Sequence, residues 1–151
     1  MAKRVSVIRN RNDKTWLYKN QIVNSIPIDM KFFVYKITET TSNKIYIGYK
    51  GFYTNRKKKL LKSEISTDKR KKLFKIETKE SNWQSYNSSS KLLSELVLKN
   101  PGNYNKEILV FCKSEKSVKY HEQKMQYILE VLEKDSFNEN IAGKFFRRDL
   151  I

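Results

Sequence analysis

Tyr35 and Tyr46 stand eleven positions apart, each inside a short apolar and aromatic run, Phe33-Val34-Tyr35-Lys36-Ile37-Thr38 and Lys44-Ile45-Tyr46-Ile47-Gly48. The polar stretch Glu39-Thr40-Thr41-Ser42-Asn43 between them reads as a turn, so the runs are predicted to pair as a β-hairpin with a phenol on each arm. A phenol can orient water, or accept its proton where positive charge lowers a pKa that is ordinarily about 10. A carboxylate could join them. Val118, Glu122, Met125, Leu129 and Leu132 step by four and three along a predicted helix, which puts them on one stripe, apolar except for Glu122. A carboxylate facing a core needs a cation, a metal or several donors. The alternative is that Glu122 lies at the edge of the stripe and pairs with a lysine.

The rest of the composition narrows the chemistry. His121 is the only histidine and Cys112 the only cysteine, which excludes His-pair metal sites, cysteine-rich zinc sites and an internal disulfide. Any general base other than His121 is therefore a carboxylate, a tyrosine or a lysine. The 32 Lys and Arg residues against 16 Asp and Glu leave a formal charge of +16, an excess that opposes compaction and suits a polyanionic partner. Lysine outnumbers arginine 25 to 7, which favours attraction to a phosphate backbone over base readout. No window approaches the ~20 apolar residues of a membrane span, and Met1-Ala2-Lys3-Arg4 does not open a signal peptide. A cytoplasmic protein is expected.

The elements that must position these groups follow from pattern. Residues 1–30 read as a basic extension that includes a small hairpin, Thr15-Trp16-Leu17-Tyr18 and Gln21-Ile22-Val23 about Lys19-Asn20, with Trp16 covering one end of the core. Residues 31–151 read as the main domain. The lysine-rich stretch from Arg56 to Lys75 is expected to be helical or mixed and exposed, with Lys57, Lys58, Lys59 and Lys62 facing phosphate; the plainer alternative is a solvated face. Serines precede a helix carrying Leu92, Leu93, Leu96 and Val97, which Asn100-Pro101-Gly102-Asn103 ends. Glu107 to Cys112 is a buried strand, and a second helix runs from about Ser114 to Lys134. This order predicts an α+β fold, a small and mainly antiparallel sheet flanked by helices in an α/β sandwich.

Tyr46-Ile47-Gly48 matches half of the signature of the GIY-YIG nucleases, and Phe33-Val34-Tyr35 is a degenerate form of the other half. The chain resembles that family over about residues 33–143, most closely its phage-encoded, homing-type members. The resemblance implies a helical arginine about ten residues after the second tyrosine, where Arg56 stands, to bind phosphate and counter transition-state charge. It implies that Glu122 holds a single Mg²⁺ or Mn²⁺, and that Tyr35 or Tyr46, the former preferred, deprotonates water in the field of Arg56 and the lysines. The segment Trp83-Gln84-Ser85-Tyr86-Asn87-Ser88-Ser89 is similar to the family's entry to its middle helix, with Tyr86, Ser88 and Ser89 placed to meet phosphate or simply to anchor and cap that helix. A late asparagine is implied as well: Asn138 first, Asn140 in reserve. Leu60 departs from the histidine or tyrosine that some members carry one turn beyond the arginine.

The expectation is thus a metal-dependent DNA endonuclease hydrolysing phosphodiester bonds, in the cytoplasm of a bacterial host if phage-encoded; RNA or branched DNA stays open as substrate, and so does oligomeric state. The alternative is a non-catalytic, basic nucleic-acid-binding protein of structural or regulatory role on the same scaffold. Anionic-membrane binding finds no helix pairing a wide apolar face with a basic one.

Overall fold

Phe32–Glu39 (β3) is the strand on which the molecule is organised: Phe33, Val34, Tyr35 and Ile37 are all buried, as aromatic and β-branched residues on a strand covered on both faces should be. The computed structural model describes residues 15–61 and 74–150. Leu17–Tyr18 (β1) and Gln21–Ile22 (β2) form the expected hairpin, with Lys19 and Asn20 both at positive φ as a two-residue turn of this hand requires. Ile45–Gly51 (β4) pairs antiparallel with β3, and Tyr104–Cys112 (β7) pairs antiparallel with its other side. The five-stranded sheet runs β2-β1-β7-β3-β4, antiparallel except where β1 meets β7, so residues of the N-terminal lead-in belong to it.

Strand alternation splits the core in two. On one face Trp16, Phe33, Tyr35, Ile37, Phe52 and Trp83 pack under Lys91–Lys99 (α1), which contributes Leu93 and Val97. On the other, Val34, Ile47 and Cys112 pack under Glu115–Ile128 (α2) through Val118. The fold is the α/β sandwich expected. Both helices begin on serine caps, Ser90 accepting from the Leu93 N–H at 3.3 Å and Ser114 from that of Ser117 at 3.1 Å.

Two expectations are overturned. Tyr53–Lys59 (β5) is a strand, not a helix, and pairs antiparallel with Phe74–Glu80 (β6) in a separate two-stranded ribbon; Lys62 and the stretch between lie outside the described residues. Three lysines in a row favour a helix by propensity, and pairing with Phe74-Lys75-Ile76 overrides that preference. The second helix ends at Ile128 rather than Lys134. Glu130 adopts a left-handed conformation (φ 52°), and the N–H groups of Glu130 and Val131 close onto the carbonyls of Tyr127 and Gln126, a Schellman ending made without glycine. The chain returns through Asn140–Ile141 (β8) and Phe145–Phe146 (β9).

Candidate active site at the β4 edge

Tyr35 and Gly48 face each other directly across β3 and β4. A Cβ on Gly48 would sit 2.5 Å from the Tyr35 hydroxyl oxygen and 3.0 Å from the Tyr46 ring, so the glycine is there to let two rings close over the strand. The Tyr35 and Tyr46 rings lie 6.2 Å apart at 30°, and Tyr86 meets Tyr35 edge-on at 6.0 Å. A bulge in the pairing of β3 with β7 falls between Val34 and Tyr35, the kind of irregularity that re-aims a side chain beside a site. The hairpin thus brings both predicted tyrosines together and adds a third.

Their environments differ. Tyr35 is wholly buried; its hydroxyl, near the Tyr86 hydroxyl and the Ser89 backbone, meets no described partner at good hydrogen-bond geometry. Burial holds its pKa well above the phenol range, with the neighbouring phenols adding to the effect. Tyr46 is half-buried and shares a hydrogen bond with Ser89 Oγ at 2.7 Å. Burial raises its pKa too, and the Ser89 bond opposes that. Tyr86 is raised by burial. No cation among the described residues lowers the pKa of Tyr35, and all three phenols are shifted upward, away from the range of a base at neutral pH.

Glu122 is the group poised to change charge near neutrality. Burial pushes its pKa up to about 7, against a partial offset from Lys119 three residues back. It makes no hydrogen bond or ion pair with any described residue, Lys119 pairing with Glu115 instead. Val118 and Met125 share the stripe of Glu122 on the helix, while Leu129 is the C-cap and Leu132 lies beyond the helix end; all four pack on the same core. Its charge raises the pKa of both Tyr46 and Tyr86, so the carboxylate of one layer and the phenols of the other converge at β4.

Asn138 holds that edge. Its side chain accepts from the Ile47 N–H at 2.9 Å and donates to the Ile47 carbonyl at 2.9 Å, a side-chain imitation of a sixth strand. Gln126 donates to the same carbonyl at 3.2 Å, and the Phe137 N–H reaches the Ile45 carbonyl at 2.8 Å. The amide holds backbone and makes no bond to a tyrosine hydroxyl. Asn140 lies elsewhere, accepting from the Gly143 N–H at 2.8 Å to shape a turn.

Other predicted residues divide. Ser89 reaches the site; Ser88 is buried, at positive φ, and bonds the Ser90 carbonyl. Arg56 is an exposed residue midway along β5, opposite Glu77, with no hydrogen bond, ion pair or ring contact to Tyr35, Tyr46 or Glu122. Lys57, Lys58 and Lys59 share that ribbon.

The cation that does stand over the phenols is Lys50, its Nζ 4.2 Å from the centre of the Tyr86 ring and its pKa lowered by burial. Tyr46, Gly48 and Lys50 alternate on one strand face, a period-two signal that could have found it. Arg147 was equally hidden: it donates to the carbonyls of Val131, Leu132, Lys134, Ser136 and Asn138, tying down the loop that presents Asn138. Arg147→Ala should cost about 2–3 kcal/mol, because charge-assisted bonds to several carbonyls are lost together. A melting temperature lower by about 5–10 °C in a thermal melt checks this, with Arg147→Lys recovering little, since an ammonium cannot fork.

A half-buried carboxylate near Tyr46 and Tyr86, beside an edge strand braced by an asparagine, makes up the candidate site on this α/β sandwich. The comparison with known families agrees. A family described as "Putative endonuclease segE, GIY-YIG domain" matches residues 16–146. The chain belongs to that GIY-YIG endonuclease family. A search of curated proteins and a search of solved structures each gave no match.

Proposed function

We propose that the chain is a divalent-metal-dependent DNA endonuclease whose site is built from Tyr46, Tyr86, Ser89, Lys50 and Glu122, with Tyr35 and Asn138 holding the frame. The observation that carries this is Glu122: a half-buried carboxylate near Tyr46 and Tyr86, without a hydrogen bond or ion pair to any described residue, and pushed up to about 7 by burial. Such a group is incomplete as it stands. A hard cation with oxygen preference fits a carboxylate of this kind, with water and a phosphate oxygen supplying the other ligands. When bound, the ion would polarise the phosphate and stabilise the leaving oxygen.

The chain's own groups have separate tasks. Tyr46, protonated and already hydrogen-bonded to Ser89, donates to and orients a water or phosphate oxygen rather than removing a proton. Lys50 supplies a partly dehydrated positive charge for the phosphate. Tyr35 serves as a buried wall that sets the ring of Tyr46. Arg56, exposed on the ribbon, is a DNA contact in this scheme and not part of the chemistry. No helix among the described residues is long and apolar enough to cross a membrane, and the charge of +16 suits the polyanion.

Conversion of supercoiled plasmid to nicked or linear product tests the reading. Activity should appear with Mg²⁺ or Mn²⁺ and vanish with EDTA. Tyr46→Phe should lower the single-turnover rate by about 10²-fold, the scale of one positioned proton-bearing group, with little change in melting temperature. Metal-independent binding with no cleavage under any divalent ion would favour the scaffold-only alternative.

A further inference from the structure

Every residue of β5 and β6 is exposed, on both faces. Among the described residues nothing covers either face of this ribbon, and a two-stranded ribbon by itself is marginal in water. The two strands carry six Lys and Arg residues against two glutamates. Residues opposite one another share a face, so Arg56 with Glu77, Lys58 with Lys75 and Thr54 with Lys79 form one side. Along that side runs the larger of the two described clefts, about 870 Å³, lined by none of Tyr35, Tyr46 and Tyr86. The other side sets Lys57 against Ile76 and Lys59 against Phe74, whose apolar side chains are 70% and 54% exposed. Cationic and apolar groups alternating on one exposed ribbon match a surface of phosphates flanking base edges and thymine methyls.

The ribbon is not loosely hung. Its root is fastened to the sheet where the Ser81 N–H bonds the Phe52 carbonyl at 2.8 Å, Ser81 Oγ donates to the Gly51 carbonyl at 2.6 Å, and the Phe52 N–H bonds the Lys31 carbonyl at 2.8 Å. Phe52 itself is buried between Phe33 and Trp83. The arm therefore leaves the fold at a defined place, five residues beyond Tyr46 on the same strand, or about 17 Å at strand rise.

We propose that β5–β6 is a groove-reading arm that enters the major groove of duplex DNA. That groove, about 12 Å wide, admits a two-stranded ribbon. The arm's root then contacts DNA roughly five base pairs from the cleaved phosphate. Only this last spacing rests on the endonuclease reading; the docking itself does not.

The test is binding of the full chain, without divalent metal, to a fluorescent duplex containing a long polypurine tract, followed by anisotropy across salt concentrations. Arg56→Ala/Lys58→Ala/Lys79→Ala should weaken binding roughly 10- to 100-fold and lower the slope of log K against log salt by about three. A charge-matched control, Lys91→Ala/Lys99→Ala/Lys113→Ala, should lose less than threefold. Filling the major groove with a third strand should weaken the native chain about tenfold and leave the arm variant unchanged; netropsin in the minor groove should weaken neither. Equal losses in the two triple variants, no loss in the arm variant, blocking by netropsin alone, or tighter binding to single strands or RNA would each overturn the proposal. Should the triple variant not fold, Arg56→Gln, whose side chain pairs with no described residue, serves instead with a slope change of about one. Because nothing is cleaved in these measurements, a chain that never cuts DNA can still pass or fail them.

Discussion

Glu122→Gln should abolish plasmid cleavage, by at least about 10³-fold, and yet make the protein harder to unfold at alkaline pH. Both follow from one cause. The carboxyl lies in a layer of apolar side chains and phenols, and its pKa stands at about 7 against an ordinary 4.5. Below 4.5 it is protonated whether the chain is folded or not, and it costs nothing. Between 4.5 and 7 the unfolded chain ionises it while the folded chain keeps the proton, so folding stability falls as pH rises through that window and stays lowered above it. The full linkage value would be about 3 kcal/mol, and solvent screening of a partly exposed group reduces it to about 1–2 kcal/mol. The glutamine variant should therefore melt about 3–6 °C above the native protein at pH 8 and at the same temperature near pH 4.5. Mg²⁺ or Mn²⁺ should raise the melting temperature of the native chain at pH 8 and not that of the variant, as expected when a ligand binds only the folded native site. Duplex affinity without metal should be unchanged. A variant that still cuts at the native rate sinks the assigned role, and one that loses stability at pH 8 sinks the physical account of why the group is poised.

The readable part of this molecule was the part that buries something. Phe33, Tyr35 and Ile37 alternate because one face of β3 meets α1, and Val118, Met125 and Leu129 recur because α2 lies on the opposite core. Ser90 and Ser114 mark helix starts by a local bond that a sequence can display. The tyrosine pair, and Glu122 as the stripe's one charge, were visible for the same reason. What escaped is what no buried face records. The ribbon has lysines on both sides and solvent on both, so β5 carries no alternation to set against its string of cations. The end of α2 is closed by Glu130 in a conformation usually left to glycine or asparagine, so no stop signal stands in the chain. Arg147 acts through carbonyls, which every residue has. The resemblance to nucleases picked out Arg56 by its spacing along the chain; the strand that carries it pairs it opposite Glu77 on the ribbon, without a contact to the phenols.

Gly48→Ala should be the most damaging change of a single methyl in the protein. Gly48 is not at a positive φ that an alanine would resist, so the cost is one of space. The added carbon would stand 2.5 Å from the Tyr35 hydroxyl oxygen and 2.7 Å from the ring carbon that bears it, closer than real contacts allow. Tyr35 cannot swing clear. Trp16 packs on its ring at 5.0 Å, Phe33 at 6.1 Å and Tyr86 at 6.0 Å, and none of it is exposed. The strand cannot give readily either, because Asn138 and Gln126 hold Ile47 next door. Overpacking a rigid aromatic cluster of this kind costs about 2–4 kcal/mol, which is about 5–15 °C in melting temperature for a chain this size. The loss should be recovered in part by Tyr35→Leu in the same chain, which withdraws the atoms the methyl meets, and such a double variant should fold while cutting slowly because Tyr46 has lost the wall that sets its ring. A Gly48→Ala protein as stable as the native one would mean that the close approach of Tyr35 to β4 is not what the glycine provides, and the link from Tyr46-Ile47-Gly48 to the geometry of the site would have to be sought in the backbone instead.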